Sequence, residues 1–174
     1  MVVMDSNILL FFFVSKTGVP RDPVSHAEID RPWERICYLI QELEKEKTKI
    51  VIPTPVLSEV LIRAKQASPE YISRIQKSSI FIIQPFDVIA AIELAEMTRR
   101  ALDIGDKKSG SNETWAKIKY DRQIIAISKV VRAHTIYSDD KNLAYFAKKE
   151  NIKVVGLADC PLPPQLSLFP NMKQ

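Results

Sequence analysis

Two hydrophobic patterns alternate along the chain. The short runs Val2-Val3-Met4, Ile50-Val51-Ile52, Ile80-Phe81-Ile82-Ile83, Thr135-Ile136-Tyr137 and Ile152-Lys153-Val154-Val155 are rich in β-branched residues and largely continuous, as strands covered on both faces are. Between them, apolar residues recur at helical spacing. Ile36, Leu39, Ile40 and Leu43 mark one face of a helix over residues 33–47. Trp115, Ile118, Ile124, Ile125, Ile127 and Val131 mark another over 114–131. A helix over 55–65 is predicted to open at Pro55 with Thr54 as its cap, and a short one over 69–76 follows Pro69. Residues 86–102 form a long helix with Asp87 at its start and Arg99-Arg100 at its end, as the helix dipole prefers, and 141–150 form the last. Strands alternating with helices predict an α/β fold, a three-layer α/β/α sandwich around a central, mostly parallel sheet of about five strands. Residues 103–112, polar and holding two glycines, read as the flexible loop.

Composition narrows the class. With 174 residues, 46% of them hydrophobic and 26% charged, the chain is expected to fold as one soluble domain over 1–157, followed by a proline-rich tail over 158–174. Only four glycines are present, and no glycine-rich phosphate loop can be written among them. Cys37 and Cys160 are too few for a disulfide framework and lack zinc-site spacing, which points to a reducing cytoplasm. The longest apolar run, 8–14, is too short to cross a bilayer, and no leader segment is evident. A net charge of +4 is a mild bias toward polyanions.

The chemistry lies in the carboxylates. In an open parallel sheet, ligands gather at the carboxyl ends of the strands, where Asp5 follows the first strand and Asp139-Asp140 follow the fourth. Each has an ordinary reading as a turn or cap residue. Glu59, one turn into its helix, has an ordinary partner in Arg63 at i+4. Asp121 is less easily explained, because Ile118, Ile124 and Ile125 put it on or beside a buried face, where a carboxylate needs a cation, a donor or a raised pKa. Carboxylates converging at one sheet edge repel one another and call for a counter-charge. Hard oxygen donors without thiolate or histidine select Mg²⁺ or Mn²⁺, and such a cluster suits metal-assisted hydrolysis of a phosphodiester. Arg99, Arg100, Lys107 and Lys108, and Lys117, Lys119 and Arg122 around Asp121, are candidates for the substrate's other phosphates, each also readable as a solvated surface charge. His26 and His134 have no partners at ligand or triad spacing.

Four segments stand in order along the chain, Val2-Val3-Met4-Asp5-Ser6-Asn7, Pro53-Thr54-Pro55-Val56-Leu57-Ser58-Glu59, Asp121-Arg122-Gln123-Ile124-Ile125-Ala126 and Tyr137-Ser138-Asp139-Asp140-Lys141-Asn142-Leu143. In them the chain resembles the PIN-domain family of small metal-dependent nucleases, which includes the VapC-type toxins. The resemblance spans residues 1–157. It implies that Asp5, Glu59 and Asp121 are metal ligands, with Asp140 as the fourth acid and Asp139 as its runner-up. Ser6, Asn7, Ser138 and Asn142 would support them, Asn142 through water. It further implies RNA as substrate, a homodimer, and an antitoxin protein as partner. Two features depart from the compact toxins, an inserted segment over 15–32 and the extended loop over 103–112.

The leading expectation is a Mg²⁺- or Mn²⁺-dependent endoribonuclease, with the toxin of a toxin–antitoxin pair as the narrower form of that reading. The alternative is a non-catalytic PIN-like module that binds RNA or a protein. A haloacid-dehalogenase-like phosphatase also begins with a strand and an Asp, but it needs a second Asp two residues later, where this chain has Asn7.

Overall fold

A computed structural model describes residues 1–13 and 18–164 of the chain. Five strands, β1 (Val2–Met4), β2 (Ile50–Pro53), β3 (Phe81–Gln84), β4 (Thr135–Tyr137) and β5 (Lys153–Val155), form one sheet in the order β3-β2-β1-β4-β5. Every pairing is parallel, with Val2 opposite both Ile50 and Thr135, and Met4 opposite Tyr137. The central strands β1 and β2 are buried throughout, which is why their sequences are continuous apolar runs rather than alternating ones.

Among the described residues, seven α-helices occupy the connections: α1 (Ser6–Phe13), α2 (Pro32–Lys45), α3 (Thr54–Ala64), α4 (Ser68–Lys77), α5 (Val88–Asp103), α6 (Trp115–Val130) and α7 (Lys141–Lys149). Helix α1 packs on α2 and α3, and α3 on α4, while α6 packs on α5 and α7; the right-handed rule for parallel crossovers sends these two groups to opposite faces of the sheet, the three layers expected. Ile36, Ile50, Ile52, Ile118, Ile125 and Ile136 are almost fully buried between them, each such burial being worth ~1.5–3 kcal/mol. No described helix is long and apolar enough to cross a membrane.

The strand order reverses beside β1. The first half of the chain builds outward through β2 to β3, and the second half returns to lay β4 against the other edge of β1. The carboxyl ends of β1 and β4 therefore part their following segments at one crevice, the place where open α/β sheets take ligands.

Several expectations are corrected. The periodicity gave no helix after Asp5, yet α1 is there; Ser-Asn-Ile-Leu-Leu-Phe-Phe-Phe is apolar nearly all round, so it carries no 3.6-residue stripe, and Ile8, Leu9, Leu10 and Phe13 are all buried. Thr54 does not cap α3. Pro53 holds the cap position, and Thr54 Oγ1 accepts from Phe86 N (3.0 Å), tying the helix start to the end of β3. The polar loop 103–112 is anchored rather than free: Ser109 is buried, its carbonyl accepts from Tyr145 Oη and Lys149 Nζ, and its Oγ accepts from Arg122. Packing itself continues beyond residue 157, where Cys160 is buried and its carbonyl accepts from the Arg35 guanidinium. Of the inserted segment, residues 20–29 carry one antiparallel bridge, Arg21 to Glu28, and bury Ile29. Residues 14–17 of the apolar run and insert, and 165–174 of the proline-rich tail, lie outside the described residues.

Candidate functional site

At the crevice, β1 delivers Asp5, α3 delivers Glu59, α6 delivers Asp121, and the segment after β4 delivers Ser138 and Asp140. Asp5, Ser6, Asn7, Glu59, Asp121 and Asp140 line one cavity of about 280 Å³, together with Arg63, Lys117, Tyr120 and Ile124.

Asp5 is 6% exposed and held at both oxygens. Its Oδ1 accepts from Ser6 N (2.7 Å), and its Oδ2 accepts from Ser138 Oγ (2.6 Å), a bond between the segments that follow β1 and β4. Burial raises its pKa above the ordinary carboxylate value, with both hydrogen bonds pulling the other way. Ser138 Oγ also accepts from Asp140 N (3.0 Å), so one hydroxyl sets the relative position of two acids. Ser6 Oγ donates to Glu59 Oε2 (2.8 Å), and Arg63 takes Glu59 Oε1 (2.8 Å), the i+4 pair that the spacing suggested.

Asp121 is the most deeply buried of the acids, at 1% exposure. Lys117, one turn earlier on α6, donates to its Oδ1 (2.5 Å) and to Asp140 Oδ2 (2.7 Å). Asp121 Oδ2 is the buried side-chain atom that, among the described residues, has no hydrogen-bond partner. An orphaned carboxylate oxygen in low dielectric is costly, and it points to a cation or proton as the missing partner. Burial lifts the Asp121 pKa to about 7, against the pull of Lys117, and the charges of Asp140 and Asp5 add to the lift. Asp140 goes the other way. Burial would raise it, but the bonds from Lys117 and from Leu143 N and Asn142 N outweigh burial and hold it below the usual range.

The donor set, all carboxylate and hydroxyl oxygen, fits a hard divalent ion such as Mg²⁺ or Mn²⁺, and the orphaned Asp121 oxygen leaves a valence for it. Among the described residues, however, no three acids stand already gathered as an ion would hold them; the ammonium of Lys117 stands between two of them instead.

Two expected site residues fall elsewhere. Asp139 points away from the cavity: its Oδ1 accepts from Leu157 N (2.7 Å) and packs against Gly156, where a Cβ would come within 3.0 Å. The two adjacent acids therefore divide, Asp140 into the cavity and Asp139 onto the turn after β5, because consecutive residues leaving a strand face opposite sides. Asn142 donates to Glu113 Oε1 (3.0 Å) and lines a separate hollow with residues of the 110–113 loop. Among the basic candidates, Arg99 pairs with Glu96 and Asp103, and Arg100 with Glu150. Arg122 is buried on another side of α6, and Lys107 sits over the Trp115 ring. Lys117 is the nearby cation that a buried Asp121 called for, signalled by its i+4 spacing, and the structure adds what the sequence reading did not give it, a second bond to Asp140. Tyr120, which donates to the Pro55 carbonyl and walls the cavity, carried no signal beyond its place before Asp121.

The family model described as PIN domain matches residues 2–158. No curated protein matches the chain. Among solved structures, the chain is similar to VapBC2 from Rickettsia felis bound to a DNA fragment from their promoter, at 15% identity and TM-score 0.57, covering 90% of this chain and 98% of that one. It is also similar to DNA-bound VapBC from Salmonella typhimurium, at 14% identity and TM-score 0.53, covering 90% and 97%. At such identities the likeness is one of fold.

Proposed function

The chain belongs to the PIN-domain family, and from that premise we propose that it is a Mg²⁺- or Mn²⁺-dependent endoribonuclease that hydrolyses RNA phosphodiester bonds at the carboxylate-lined cavity. The observation that carries the reading is Asp121, buried at 1% exposure with one oxygen unpartnered, facing a cavity that Asp5, Glu59 and Asp140 share. An apolar residue would be the cheaper occupant of that position, so the carboxylate is kept for a ligand.

Asp5, Glu59, Asp121 and Asp140, which line the cavity together, would hold the ion. A divalent ion bound there supplies Lewis acidity toward a phosphoryl oxygen and an acidified water. The chain's own groups do the positioning. Ser138 fixes Asp5 and the backbone of Asp140, so both strand ends present their oxygens at a constant separation. Ser6 holds Glu59 Oε2 and leaves Oε1 to the exposed guanidinium of Arg63, a bond that exchanges easily at the cavity mouth. Asn7, whose amide borders the same cavity, is placed to orient water or a ribose hydroxyl.

The similar structures are described as VapBC complexes bound to DNA, which supports a small antitoxin protein as this chain's partner, covering the cavity. The exposed row Val88, Ile89 and Ile92 on α5 supports self-association as a homodimer.

The test is cleavage of a mixed RNA pool by the purified protein. The expected result is products with Mg²⁺ or Mn²⁺, none with EDTA, and none with Asp121→Asn. Products that persist in EDTA or in the Asp121→Asn protein would overturn the assignment.

A further inference from the structure

Lys117 occupies an unusual place. Its side chain is about one-third exposed, and its Nζ lies 2.5 Å from Asp121 Oδ1 and 2.7 Å from Asp140 Oδ2, bridging two acids delivered by different elements. Among the described residues, those two oxygens have no other partner. Asp140 spends its Oδ1 capping α7 through Asn142 N and Leu143 N, and Asp121 Oδ2 is unpartnered. A divalent ion taken by the same oxygens would sit where the ammonium sits, since both cations bind carboxylates at short range, and the two cannot share the place.

We propose that Lys117 is the exchangeable counter-ion of the acidic cluster: its ammonium holds the position between Asp121 and Asp140, and a divalent ion binds by displacing it. The inference rests on the metal-dependent reading of the site and adds the residue that regulates access to it. Two features of the chain favour exchange over a permanent pair. With Glu59 already paired to Arg63, one ammonium brings a single positive charge to Asp5, Asp121 and Asp140, leaving one carboxylate oxygen unserved. Lys117 also rides on the same helix as Asp121, on a flexible stem that opens to solvent, so it leaves by side-chain rotation with no backbone change. The lysine thus keeps the empty cluster from repelling itself, and it sets a threshold that the ion must exceed.

The experiment is Mn²⁺ binding by calorimetry to the wild-type full chain and to Lys117→Met, Lys117→Gln and Lys119→Met. Lys119 is exposed on the same helix, so its variant removes an equal charge without the contact. The expected result is affinity on the order of tenfold tighter in both Lys117 variants and unchanged in Lys119→Met. Equal or weaker binding in the Lys117 variants, or equal tightening in Lys119→Met, overturns the exchange while leaving the metal site standing. Absence of Mn²⁺ binding in every protein removes the metal reading and the exchange together. Should Lys117→Met not stay folded without metal, the rise in melting temperature on adding Mn²⁺ decides through Lys117→Gln. A larger rise than in wild type supports displacement, and an equal one overturns it.

Discussion

Residues 121 and 122 are neighbours on α6, both charged and both buried, at 1% and 3% exposure, and the chain treats them in opposite ways. The Arg122 guanidinium is satisfied. It donates to Thr98 Oγ1, to the Lys107 carbonyl and to Ser109 Oγ, and it lies 5.5 Å from the ring centres of both Trp115 and Phe146. All its hydrogen-bond partners are neutral, and burial lowers its pKa without threatening its charge. It therefore fastens the 103–112 loop to the α5–α7 layer. Asp121 has one lysine and one bare oxygen, and it borders a cavity with three other acids. A buried charge whose bonds are complete holds the fold, whereas one left incomplete beside a cavity has a bond still to give.

Substitutions can break this contrast. The largest effect is expected for Asp121→Asn, which keeps shape and loses charge: cleavage should fall roughly 10³-fold, the loss of several kcal/mol of metal-borne stabilisation. Its melting temperature in EDTA should equal or exceed that of wild type, because one of the mutually repelling acids is gone. Arg122→Ala should do the reverse. Losing its hydrogen bonds and ring contacts should cost about 3 kcal/mol of stability in urea unfolding and expose residues 103–112 to proteases. At a temperature where it remains folded, metal-dependent cleavage should stay within a few-fold of wild type.

The pH dependence sharpens the contrast further. Asp121, raised from 3.8 to about 7, binds more protons folded than unfolded across that interval, and Asp5 and Asp139 are shifted in the same direction by burial. Stability of the metal-free protein should therefore fall as pH rises from about 4 toward 7 and level off above it. Asp140, depressed, contributes stability above 3.8 that is lost only in stronger acid. Because the proton and the ion compete for Asp121, Mn²⁺ affinity should rise over the same interval. Urea unfolding and calorimetry at pH 5 and pH 8 check both signs. The smallest effects are expected at Asp139→Asn and Asn142→Ala, which should leave Mn²⁺ affinity within about twofold, while Asp140→Asn, which keeps the α7 cap, should weaken it at least tenfold.

The same contrast explains what could be read in the sequence. All five strands and six of the seven helices follow from local pattern, because a sheet buried on both faces writes continuous apolar runs and amphipathic helices write periodic ones. The helix α1 left no such mark, being apolar nearly all round. Asp121 was legible as a problem, since Ile118, Ile124 and Ile125 placed it against the core. Its solution in Lys117 needed the rotamers that bring Asp140 to the same ammonium. The choice between Asp139 and Asp140 likewise depended on where the chain turns after β4, and Leu157, eighteen residues on, takes Asp139 out of the site. Arg122 carried no sequence signal separating it from the surface bases, because two of its three hydrogen-bond acceptors, at Lys107 and Ser109, lie on a loop whose composition reads as free.

The most direct test of the account is a crystal structure of the protein with Mn²⁺, reading the ion's position from anomalous scattering. The account predicts one or more ions within bonding distance of Asp121 Oδ2, Asp140 Oδ2 and Asp5, with Lys117 turned out toward the cavity mouth. An ion on Asp139, or a cluster still bridged by Lys117 at saturating Mn²⁺, would contradict it.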